Sequence, residues 1–572
     1  MSPGKRPDTC FHQFLWERSR PCIQWPIPHP ANNPAVKIHP GWKHCASTLL
    51  LLQRGISGST DASRYTGTWF SKANMLHIGI SALLVSAFAT LLLFYFVSHM
   101  IRRQKIPPGP FPLPILGNFW HLHSGGHLNN MLKLSEKYGP VFTVYFGSRP
   151  NVVVSGYQAV KEILLDHGDA ILGRGEIPLF FEIYHRKGMS IINGEPWKQL
   201  RNFSVLTLRD FGMGKKTLEE PIQTEAQHMV TYFRNLSQQP LDPCDILICA
   251  SSNLLAAILM DNRYEYDDQK WLNILHDINR GFSISSSTCG QLYDMFPSLM
   301  KRVPGPHQKI FTYFKALENI LIEQINSHLE TLDAANPRDY MDCFLIRMKQ
   351  EQMKNIDTPF DIPNLLSTVF DLFIGGAETA AVTLRYGFLI LTKYPEIQEK
   401  LQLEIEEVIG HTREPSVDDR NNTPYLNAFI HEVQRFSDVL PMGVARRATK
   451  DLNFRGYLIP EGMDVLPLLT TVLHDPSQFE KPKEFNLNHF LDENGKFKKH
   501  KAFLPFAAGK RGCIGESLAR MELFIFFATI LQKFKLKPTV DPKDMDINPV
   551  EFGFESLPPA HKIIFAPREQ EN

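Results

Sequence analysis

The feature that most limits how this chain can fold is an uncharged stretch at residues 75–97, which reads MLHIGISALLVSAFATLLLFYFV. It contains no Asp, Glu, Lys or Arg. A helix of this length rises about 35 Å, which is enough to cross a bilayer hydrocarbon core of about 30 Å. The stretch therefore predicts a transmembrane helix.

Basic residues directly after this stretch indicate its orientation. Arg102, Arg103 and Lys105 follow it, and positively charged residues stay preferentially on the cytosolic side of a membrane. A cleaved signal peptide, the alternative, would have a shorter apolar region and a small-residue cleavage site. The sequence therefore predicts a retained signal-anchor at residues 75–97, with the C-terminal part of the chain in the cytosol.

The segments on either side of the predicted anchor have different compositions. Residues 98–114 form a basic and proline-rich hinge, whose PPGPFPLP run at 107–114 cannot continue a helix and acts as a semi-rigid spacer. A ligand for a proline-recognition domain is the alternative. Residues 1–74 are an N-terminal extension with nine Lys and Arg against three Asp and Glu. This extension is interpreted as a leader, a targeting extension resembling a mitochondrial transit peptide, or an upstream segment that is not normally translated, with Met75 as the start.

Residues 115–572 follow a mostly helical pattern. Helical periodicity is typical of residues 127–138, 157–166, 361–394 and 395–409. Strand-like runs are short and lie at residues 141–146, 151–154 and 452–459. We therefore expect one large domain that is mainly α-helical with small β-sheets.

The composition excludes two broad classes of protein. The net charge of +1 argues against a nucleic-acid binder, which usually carries a strongly basic domain. The eight cysteines are sparse and include no C-x-x-C pair, so the clustered thiols of a disulfide framework or a zinc site are absent from the sequence. Most of these cysteines are expected to be inert thiols.

One cysteine, Cys513, stands in a loop with a distinct pattern, FAAGKRGCIG at 506–515, directly before a helical run. A cysteine at a helix start meets exposed backbone N–H groups, so we expect a lowered thiol pKa. Gly509, Gly512 and Gly515 permit tight turns and the close approach of a flat cofactor. The two other side chains that matter are Phe506, which can shield the sulfur from water, and Arg511, which can meet an anionic group. A buried structural cysteine is the alternative.

The loop matches the haem-thiolate signature F-x-x-G-x-R-x-C-x-G at every fixed position. The chain from about Pro107 to Pro567 resembles a cytochrome P450, and most closely the microsomal family 2 that metabolises drugs, steroids and fatty acids. The resemblance implies the cytochrome P450 fold, a single large α-rich haem domain behind one N-terminal transmembrane helix. It also implies haem b (iron protoporphyrin IX) as cofactor, Cys513 as the axial thiolate of its iron, and Phe506 and Gly515 beside the haem. The implied location is the endoplasmic reticulum membrane with the catalytic domain facing the cytosol, and the mitochondrion is the alternative.

A second motif is GGAET at residues 375–379, inside a helical stretch. Two adjacent glycines cost a helix about 1 kcal/mol each relative to alanine, which suggests close approach of another group. Thr379 can donate a hydrogen bond to the carbonyl of Gly375 and loosen the helix locally. The resemblance implies an oxygen-binding groove here, with Gly376 beside the haem and with Glu378 and Thr379 guiding protons. A crossing of two helices through small residues is the alternative.

Two further motifs gain meaning from the resemblance. Trp197 and Arg201, at i and i+4, present two donors on one helix face. The resemblance implies that they bind a haem propionate together with Arg174, Arg446 and Arg511.

Glu432 and Arg435, at i and i+3, would otherwise be read as a surface ion pair. The resemblance implies that they form a buried structural network with residues 485–490, in which His489 replaces the more common arginine, and that this network holds the loop of the cysteine.

The resemblance also implies the substrate pocket and the partners. The pocket residues are apolar and aromatic, and they indicate a lipophilic small molecule such as a xenobiotic, a fatty acid or a steroid. The implied pocket comprises Pro178 to Phe181 (with Phe180), Phe373, Ile374, Ala377, Val439, Val444 and Phe554.

The implied reaction inserts one atom of dioxygen into the substrate. The sequence contains neither a complete dinucleotide loop nor a P-loop. The resemblance implies that electrons come from NADPH through NADPH–cytochrome P450 reductase, with cytochrome b5 as a possible second donor. The predicted docking face is basic, and it comprises Lys198, Lys215, Lys216, Lys498, Lys499, Lys501 and Lys510. Two other functions stay open: a haem-thiolate isomerase that rearranges a peroxide without reductase, and a non-enzymatic membrane haem-binding protein.

Overall fold

The computed structural model describes residues 62–103, 105–123, 126–236, 238–355, 357–551 and 555–568. Residues 1–61 of the predicted extension and the predicted pocket residue Phe554 lie outside the described residues. The chain divides into two compact units, Met1–Leu92 and Leu93–Asn572.

The helix that contains the predicted anchor, α1, runs from Ala62–Arg103. Its apolar part, Gly79–Ser98, has a mean hydropathy of 2.3 and none of it is buried by protein. The Ser86 and Thr90 hydroxyls donate to helix carbonyls one turn earlier, so these polar groups need no partner from outside the helix. Length and composition therefore suit a membrane anchor. A second helix, Ile362–Lys393, passes the same test but is a core helix, since 72% of its apolar window is buried.

Helices make up most of the second unit. They are α2 (Phe119–His123), α3 (His127–Tyr138), α4 (Tyr157–Lys161), α5 (Pro178–Ile183), α6 (Gly194–Asp210), α7 (Glu219–Asn235), α8 (Cys244–Met260), α9 (Gln269–Ser285), α10 (Thr288–Met295), α11 (Pro297–Met300), α12 (His307–Thr331), α13 (Tyr340–Met353), α14 (Ile362–Lys393), α15 (Pro395–Val408), α16 (Pro424–Ser437), α17 (Thr470–Leu473) and α18 (Glu516–Lys533).

The central helix α14 has clear start and stop signals in the sequence. It begins after Asp361, whose side chain accepts the N–H of Asn364, and Pro363 occupies its first turn. It ends before Pro395, which begins the next helix. Its residues are buried on nearly all sides, so α14 passes through the core rather than over it.

Two glycines let α14 approach its neighbours closely. A Cβ atom at Gly376 would lie 2.7 Å from Leu255 Cδ1 of α8, and one at Gly387 would lie 2.2 Å from Phe527 Cζ of α18. Both distances are shorter than carbon–carbon contact allows, so a side chain at either position would push the helices apart. The packing of α8, α14 and α18 therefore depends on these glycines.

The strands form small sheets beside the helices. The largest has the order β1-β2-β7-β4-β3, with β1 and β2 antiparallel and β2 and β7 parallel. Three two-stranded sheets pair β5 with β6, β8 with β11 and β9 with β10. The strands are β1 (Val141–Phe146), β2 (Arg149–Val154), β3 (Gly173–Arg174), β4 (Arg446–Arg447), β5 (Leu452–Phe454), β6 (Tyr457–Ile459), β7 (Asp464–Pro467), β8 (Phe534–Pro538), β9 (Val550–Glu551), β10 (Ser556–Leu557) and β11 (Ile563–Pro567).

Most predicted elements lie where the sequence pattern puts them. The helices at 127–138 and 395–409 and the strand at 141–146 agree within a residue. The helix predicted at 157–166 widens into a π-helix at Glu162–Asp166. The single strand predicted at 452–459 is wrong, because Arg455 and Gly456 have positive φ and turn the segment into a tight hairpin of β5 and β6. The prediction of a mainly helical domain with small sheets is confirmed.

Candidate active site

A cavity of about 330 Å³ lies inside the second unit and brings together residues from distant parts of the sequence. Its wall includes Cys513, Thr379 and Trp197, together with the arginines at 174, 201, 446 and 511. The sheet contributes by pairing Arg174 of β3 with Arg446 of β4. Residues predicted separately to bind a cofactor, to hold its iron and to handle protons thus share one cavity.

The loop before α18 presents Cys513 to this cavity. The Cys513 N–H donates to the carbonyl of Phe506 at 3.0 Å, which closes the loop. Gly509 has a φ of +77°, and a Cβ atom there would lie 2.5 Å from the Leu164 carbonyl oxygen. A Cβ atom on Gly515 would stand 3.9 Å from the Cys513 sulfur. The glycines therefore shape the turn and keep the surroundings of the thiol open, as predicted.

The pKa of the Cys513 thiol differs from the sequence-based expectation. Burial raises this pKa, while the backbone N–H groups of Gly515 and Glu516 and the charge of Arg201 lower it. The expected helix-start effect is present, but burial outweighs it, so the prediction of a lowered pKa in the protein alone is wrong. Coordination to a metal ion deprotonates a thiol outright, so a bound cation would complete the thiolate.

The cationic wall of the cavity carries buried donors without protein partners. Arg174 Nη1, Trp197 Nε1 and Arg446 Nε are buried and have no hydrogen-bond partner among the described residues. Buried donors normally find an acceptor, and an unsatisfied one costs about 1–3 kcal/mol. The three donors belong to residues that line the same cavity. They are therefore suited to an acceptor that the protein itself does not supply.

The charges on this wall point to the same kind of ligand. Burial lowers the pKa of Arg174 to about 10, of Arg446 to about 9 and of Arg511 to about 8, and the neighbouring arginines add to the effect. The carboxylate of Asp371 is near enough to oppose the shift of Arg174. Arginines remain charged in proteins, so this cluster favours an anion, and two propionates on a flat cofactor meet that requirement.

Arg511 and Arg201 are held by backbone carbonyls as well as facing the cavity. Arg511 donates to the carbonyls of Leu172 at 3.0 Å and Ile192 at 2.7 Å and to Asn193 Oδ1 at 2.9 Å. Its guanidinium lies 3.9 Å from the centre of the Trp197 ring. Arg201 Nη2 donates to the carbonyl of Gly512 at 2.6 Å, next to the cysteine. These two arginines therefore also fix the loops that shape the site.

The local hydrogen bond predicted in α14 is present. The Thr379 hydroxyl donates to the Gly375 carbonyl at 2.9 Å, as its spacing predicted. A Cβ atom at Gly375 would meet nothing within 4 Å, since Gly375 faces the cavity, whereas one at Gly376 would lie 2.7 Å from Leu255 Cδ1. Both glycines line the cavity, and at Gly376 the helix also packs closely against Leu255 of α8.

Glu378 lies apart from this cavity. It is buried and is not among the residues that line the cavity. The Asn279 amide is oriented with its nitrogen toward Glu378. This nitrogen donates to Glu378 Oε2 at 2.8 Å and to Glu378 Oε1 at 3.0 Å. Burial raises the pKa of Glu378 to about 7, and the charge of Arg385 opposes the rise. Glu378 thus connects α14 with α9 through these hydrogen bonds, whereas its neighbour Thr379 faces the cavity.

The network implied for Glu432, Arg435 and His489 is fully formed. Arg435 donates from Nε and Nη2 to the two oxygens of Glu432, both at 2.7 Å. The His489 ring forms hydrogen bonds through Nδ1 with Glu432 Oε2 at 3.1 Å and through Nε2 with the carbonyl of Glu480 at 2.7 Å. All three side chains are buried. The network fastens the segment before the cysteine loop to α16.

The predicted pocket residues divide into three groups. Val439 and Val444 line the cavity, and Phe180 lines a neighbouring cavity of about 160 Å³. Phe181, Phe373, Ile374 and Ala377 are buried in the core and are not among the lining residues of either cavity. Of the side chains that the resemblance implied, Phe180, Val439 and Val444 thus face open space.

Three acidic residues on the cavity wall, Asp371, Asp438 and Glu522, were not predicted. Asp371 of α14 accepts the N–H of Ser190 at 2.8 Å, and Glu522 of α18 accepts from the Ser251 hydroxyl at 2.6 Å. Asp371 lies eight residues before Thr379, a spacing that puts both on one helix face and was available as a signal. Glu522 carried no such signal, because its partner lies in a helix far away in the sequence.

The sequence matches the model of the family described as Cytochrome P450 over residues 107–565. The chain belongs to this family. Cytochrome P450 2F2 of Mus musculus is 48% identical over 456 residues, which are 80% of this chain and 93% of that protein. Cytochrome P450 2A6 of Homo sapiens is 45% identical over 489 residues, which are 85% of this chain and 99% of that protein.

This P450 is therefore a haem-binding monooxygenase, and the relatives it matches include cytochromes P450 2F2 and 2A6. The predictions of the family, the fold, the enzyme class and the haem cofactor are confirmed. The residues fit that cofactor, because the cavity combines one thiol with unpartnered cationic donors. The apolar helix Gly79–Ser98 is consistent with a membrane anchor of the microsomal kind.

Proposed function

We propose that this P450 inserts one atom of dioxygen into a lipophilic xenobiotic, fatty acid or steroid, with electrons supplied by NADPH through a separate flavoprotein reductase. The observation that carries the proposal is that Cys513, Thr379 and the arginine wall line one cavity. Family membership supports the monooxygenase class. The substrate and electron source rest on the chemistry of the cavity and of the surface.

We propose that Cys513 would hold the haem iron through its thiolate. Haem, when bound, supplies the iron centre that activates dioxygen, and a thiolate ligand favours cleavage of the O–O bond. The backbone N–H groups of Gly515 and Glu516 stabilise the thiolate charge. Trp197, Arg174 and Arg446 would hold the propionates through donors that lack protein partners, while Arg201 and Arg511 add charge and fix the nearby loops.

Proton handling on the opposite wall is assigned to Thr379. Its hydroxyl donates to the Gly375 carbonyl, which leaves its oxygen able to accept a proton-bearing partner from the cavity. Glu378 acts as a positioning residue in this proposal, because its carboxylate is bonded to Asn279 outside the cavity.

The cavity favours a lipophilic substrate. Its walls away from the arginines are apolar, and they include Leu208, Met213, Leu255, Ile258, Val439 and Val444. Such walls bind a substrate by removing its apolar surface from water and provide few groups that would select one polar pattern. A broad range of hydrophobic molecules is therefore expected, with position of attack set by shape.

A basic surface supports docking of an acidic reductase, with cytochrome b5 as a second possible donor. Lys198 and Lys510 are exposed, but each is paired with an acid, Glu195 at 3.0 Å and Asp169 at 2.6 Å respectively. Lys498, Lys499 and Lys501 are exposed and form no ion pair among the described residues. Unpaired surface cations contribute most to electrostatic steering, so these three are the strongest candidates.

We further propose that the helix Gly79–Ser98 anchors the enzyme in the endoplasmic reticulum membrane with the catalytic domain in the cytosol; the mitochondrion is the alternative. The charge-free window and the basic residues that follow it support this orientation. Fractionation of cells that express the chain, followed by protease protection, tests it. A catalytic domain protected inside the vesicles would contradict the proposal.

The reductase requirement tests the activity itself. Membranes containing the chain are supplied with a panel of fatty acids, steroids and drugs, with NADPH and with or without recombinant reductase. We expect an oxygenated product, carrying label from ¹⁸O₂, only when reductase is present. Product formed from a hydroperoxide without NADPH or reductase would instead support the isomerase, and haem binding without any turnover would support a non-enzymatic protein.

A further inference from the structure

One arginine in the first turns of α18 makes contacts that reach beyond its own helix. Arg520 lies one helical turn after Glu516, and its Nε and Nη2 atoms donate to Glu516 Oε1 at 3.0 Å and 2.8 Å. An ion pair at i and i+4 on a helix usually contributes little to stability. This pair alone would therefore give Arg520 no role in the site, and its other contacts decide the question.

The first of these contacts is with a buried histidine of α16. Arg520 Nη1 donates to His431 Nε2 at 3.0 Å, and a guanidinium has donors only, so this ring nitrogen must accept. His431 Nδ1 donates to the carbonyl of Asn427 at 2.7 Å. Burial lowers the pKa of His431 to about 3, so the ring stays neutral with both nitrogens bonded. His431 therefore fixes the direction of the guanidinium from outside α18.

The second contact is with the cysteine loop. The guanidinium carbon of Arg520 lies 5.2 Å from the centre of the Phe506 ring, within the range of about 6 Å for attraction between a cation and an aromatic face. The carbonyl of Phe506 accepts the N–H of Cys513 at 3.0 Å, and both residues line the cavity. Arg520 therefore contacts the residue that is bonded directly to the cysteine.

The charge of Glu516 gives a cation at this place an electrostatic effect on the cysteine. The backbone N–H of Glu516 lowers the pKa of the Cys513 thiol, whereas the charge of the Glu516 carboxylate raises that pKa. The carboxylate therefore opposes the negative charge of a thiolate, and a cation bonded to the carboxylate reduces this opposition. Arg420 also interacts with the charge of Glu516, but its Nε donates to Asn427 Oδ1 at 3.0 Å. Among the described residues, Arg520 is the cation that bonds to Glu516.

We propose that Arg520 is a positioning residue for the thiolate of Cys513. Its guanidinium, which His431 orients, holds the ring of Phe506 in the cysteine loop. Its positive charge balances the carboxylate of Glu516. The inference rests on the proposed function, in which Cys513 holds the haem iron, and it adds a residue that does not itself line the cavity.

The first test measures how easily the haem iron is reduced, and it needs neither substrate nor reductase. The full-length protein is titrated with dithionite in the presence of redox dyes, and the ratio of ferrous to ferric haem is recorded at a fixed potential. Arg520→Leu leaves the Glu516 carboxylate unbalanced near the thiolate, which favours ferric iron, so this ratio should fall about two- to fivefold. Arg520→Lys keeps the positive charge and should stay near the wild type. A ratio in Arg520→Leu equal to the wild type would overturn the proposal.

A matched arginine separates this effect from a general loss of stability. Arg568 has the same exposed fraction of its side chain, 21%, and donates to Glu406 Oε2 at 3.0 Å, but it contacts the other end of α18 through the carbonyl of Leu531. Arg568→Leu should therefore keep the wild-type ratio. In the double variant Glu516→Gln/Arg520→Leu both charges are gone, and the ratio should return toward the wild type. An equal fall in Arg568→Leu, or no recovery in the double variant, would also overturn the proposal.

The second test follows the cysteine loop itself. The reduced carbon monoxide complex is warmed, and the loss of the red-shifted band of thiolate-ligated haem is timed. Arg520→Lys keeps the charge but lacks the planar fork that bonds Glu516 and His431 together, so the band should be lost at least about twofold faster. Arg568→Lys should match the wild type. A band that persists in Arg520→Lys as long as in the wild type would overturn the positioning role.

The outcomes distinguish this inference from the proposed function on which it rests. A folded wild type without the red-shifted band would contradict the thiolate ligation by Cys513, and with it the proposed function. A wild type that shows this band, together with Arg520 variants that match it in both tests, would contradict only the role of Arg520.

Discussion

Two groups of buried arginines in this P450 differ in how their donors are satisfied. Arg435 directs every N–H group to a protein acceptor, namely Glu432 and the carbonyls of Leu473, Pro482 and Glu484. Arg446 and Arg174, on the cavity wall, each leave a buried nitrogen without a partner among the described residues.

The difference separates structural from ligand-binding arginines. Breaking a buried ion pair leaves an unpaired charge and is costly, so the Arg435 group is expected to stabilise the fold. An arginine without a protein acceptor contributes little to the fold and is available to an anionic ligand. Both kinds of arginine are buried in this chain. They differ in whether all their N–H groups find an acceptor within the protein.

The largest effect is expected where the internal network is broken. Arg435→Met leaves the Glu432 carboxylate buried with only the His489 ring and the Asn486 N–H as partners, so the free energy of unfolding should fall by about 3–5 kcal/mol. Denaturant unfolding of the purified protein measures it. The double variant Glu432→Leu/Arg435→Met removes both charges and should recover part of the loss. A loss below about 1 kcal/mol in the single variant would contradict a structural role.

Removal of an arginine with an unpartnered nitrogen should weaken haem binding without lowering the stability of the haem-free protein. Arg446→Leu removes a buried charge that has no protein acceptor at Nε, so the haem-free protein should be as stable as the wild type or more stable. Haem should be lost about 10- to 100-fold more readily, because a charge-assisted hydrogen bond is missing. Transfer of haem to an excess of apomyoglobin measures the loss. Unchanged haem retention would contradict the assignment to a propionate.

A smaller effect is expected when one neutral donor is removed. Trp197→Phe keeps an aromatic ring beneath the Arg511 guanidinium but removes the Nε1–H that lacks a partner. Haem retention should weaken by about 1 kcal/mol, or roughly fivefold. The same transfer assay checks it, with Trp271→Phe as the control, since that indole already donates to Ser252 within the protein. Equal retention in Trp197→Phe and wild type would remove Trp197 from the site.

The smallest expected effect concerns the acid beside the cationic wall. Burial raises the pKa of Asp371 from 3.8 to about 7, with the Ser190 N–H and Arg174 opposing the rise. The unfolded chain therefore loses this proton near pH 4, whereas the folded protein keeps it up to about pH 7. The free energy of unfolding consequently falls as the pH rises between these two values. Asp371→Asn should match the wild type near pH 4 and gain relative stability, on the order of 1 kcal/mol, by pH 8. Thermal unfolding across that range tests the sign, and a difference that is independent of pH would contradict the shift.

Local spacing was enough to predict several parts of the site. The hydrogen bond from Thr379 to Gly375 follows from an i, i+4 relation within one helix. The cysteine loop follows from its glycines, one of which adopts the positive φ that glycine permits. In each case the residues that interact are close in sequence, so the pattern of residue types fixes the contact.

Contacts between distant segments were not predictable in the same way. The partner of Glu522 is Ser251, which is separated from it by 271 positions. The pKa of Cys513 depends on burial by the whole domain, which outweighs the local helix-start effect. Which face of α14 meets the cavity was also open, so Phe373 and Ala377 were predicted to line a pocket although both lie in the core.

The most direct test of the central claim is the spectrum of the carbon monoxide complex. The full-length protein and Cys513→Ser are reduced with dithionite, and the Soret band is recorded after addition of carbon monoxide. A thiolate-ligated haem gives a strongly red-shifted band, which we expect in the wild type and which should vanish in Cys513→Ser. A folded wild-type protein with the band of histidine-ligated haem, or a red-shifted band that persists in Cys513→Ser, would contradict Cys513 as the ligand.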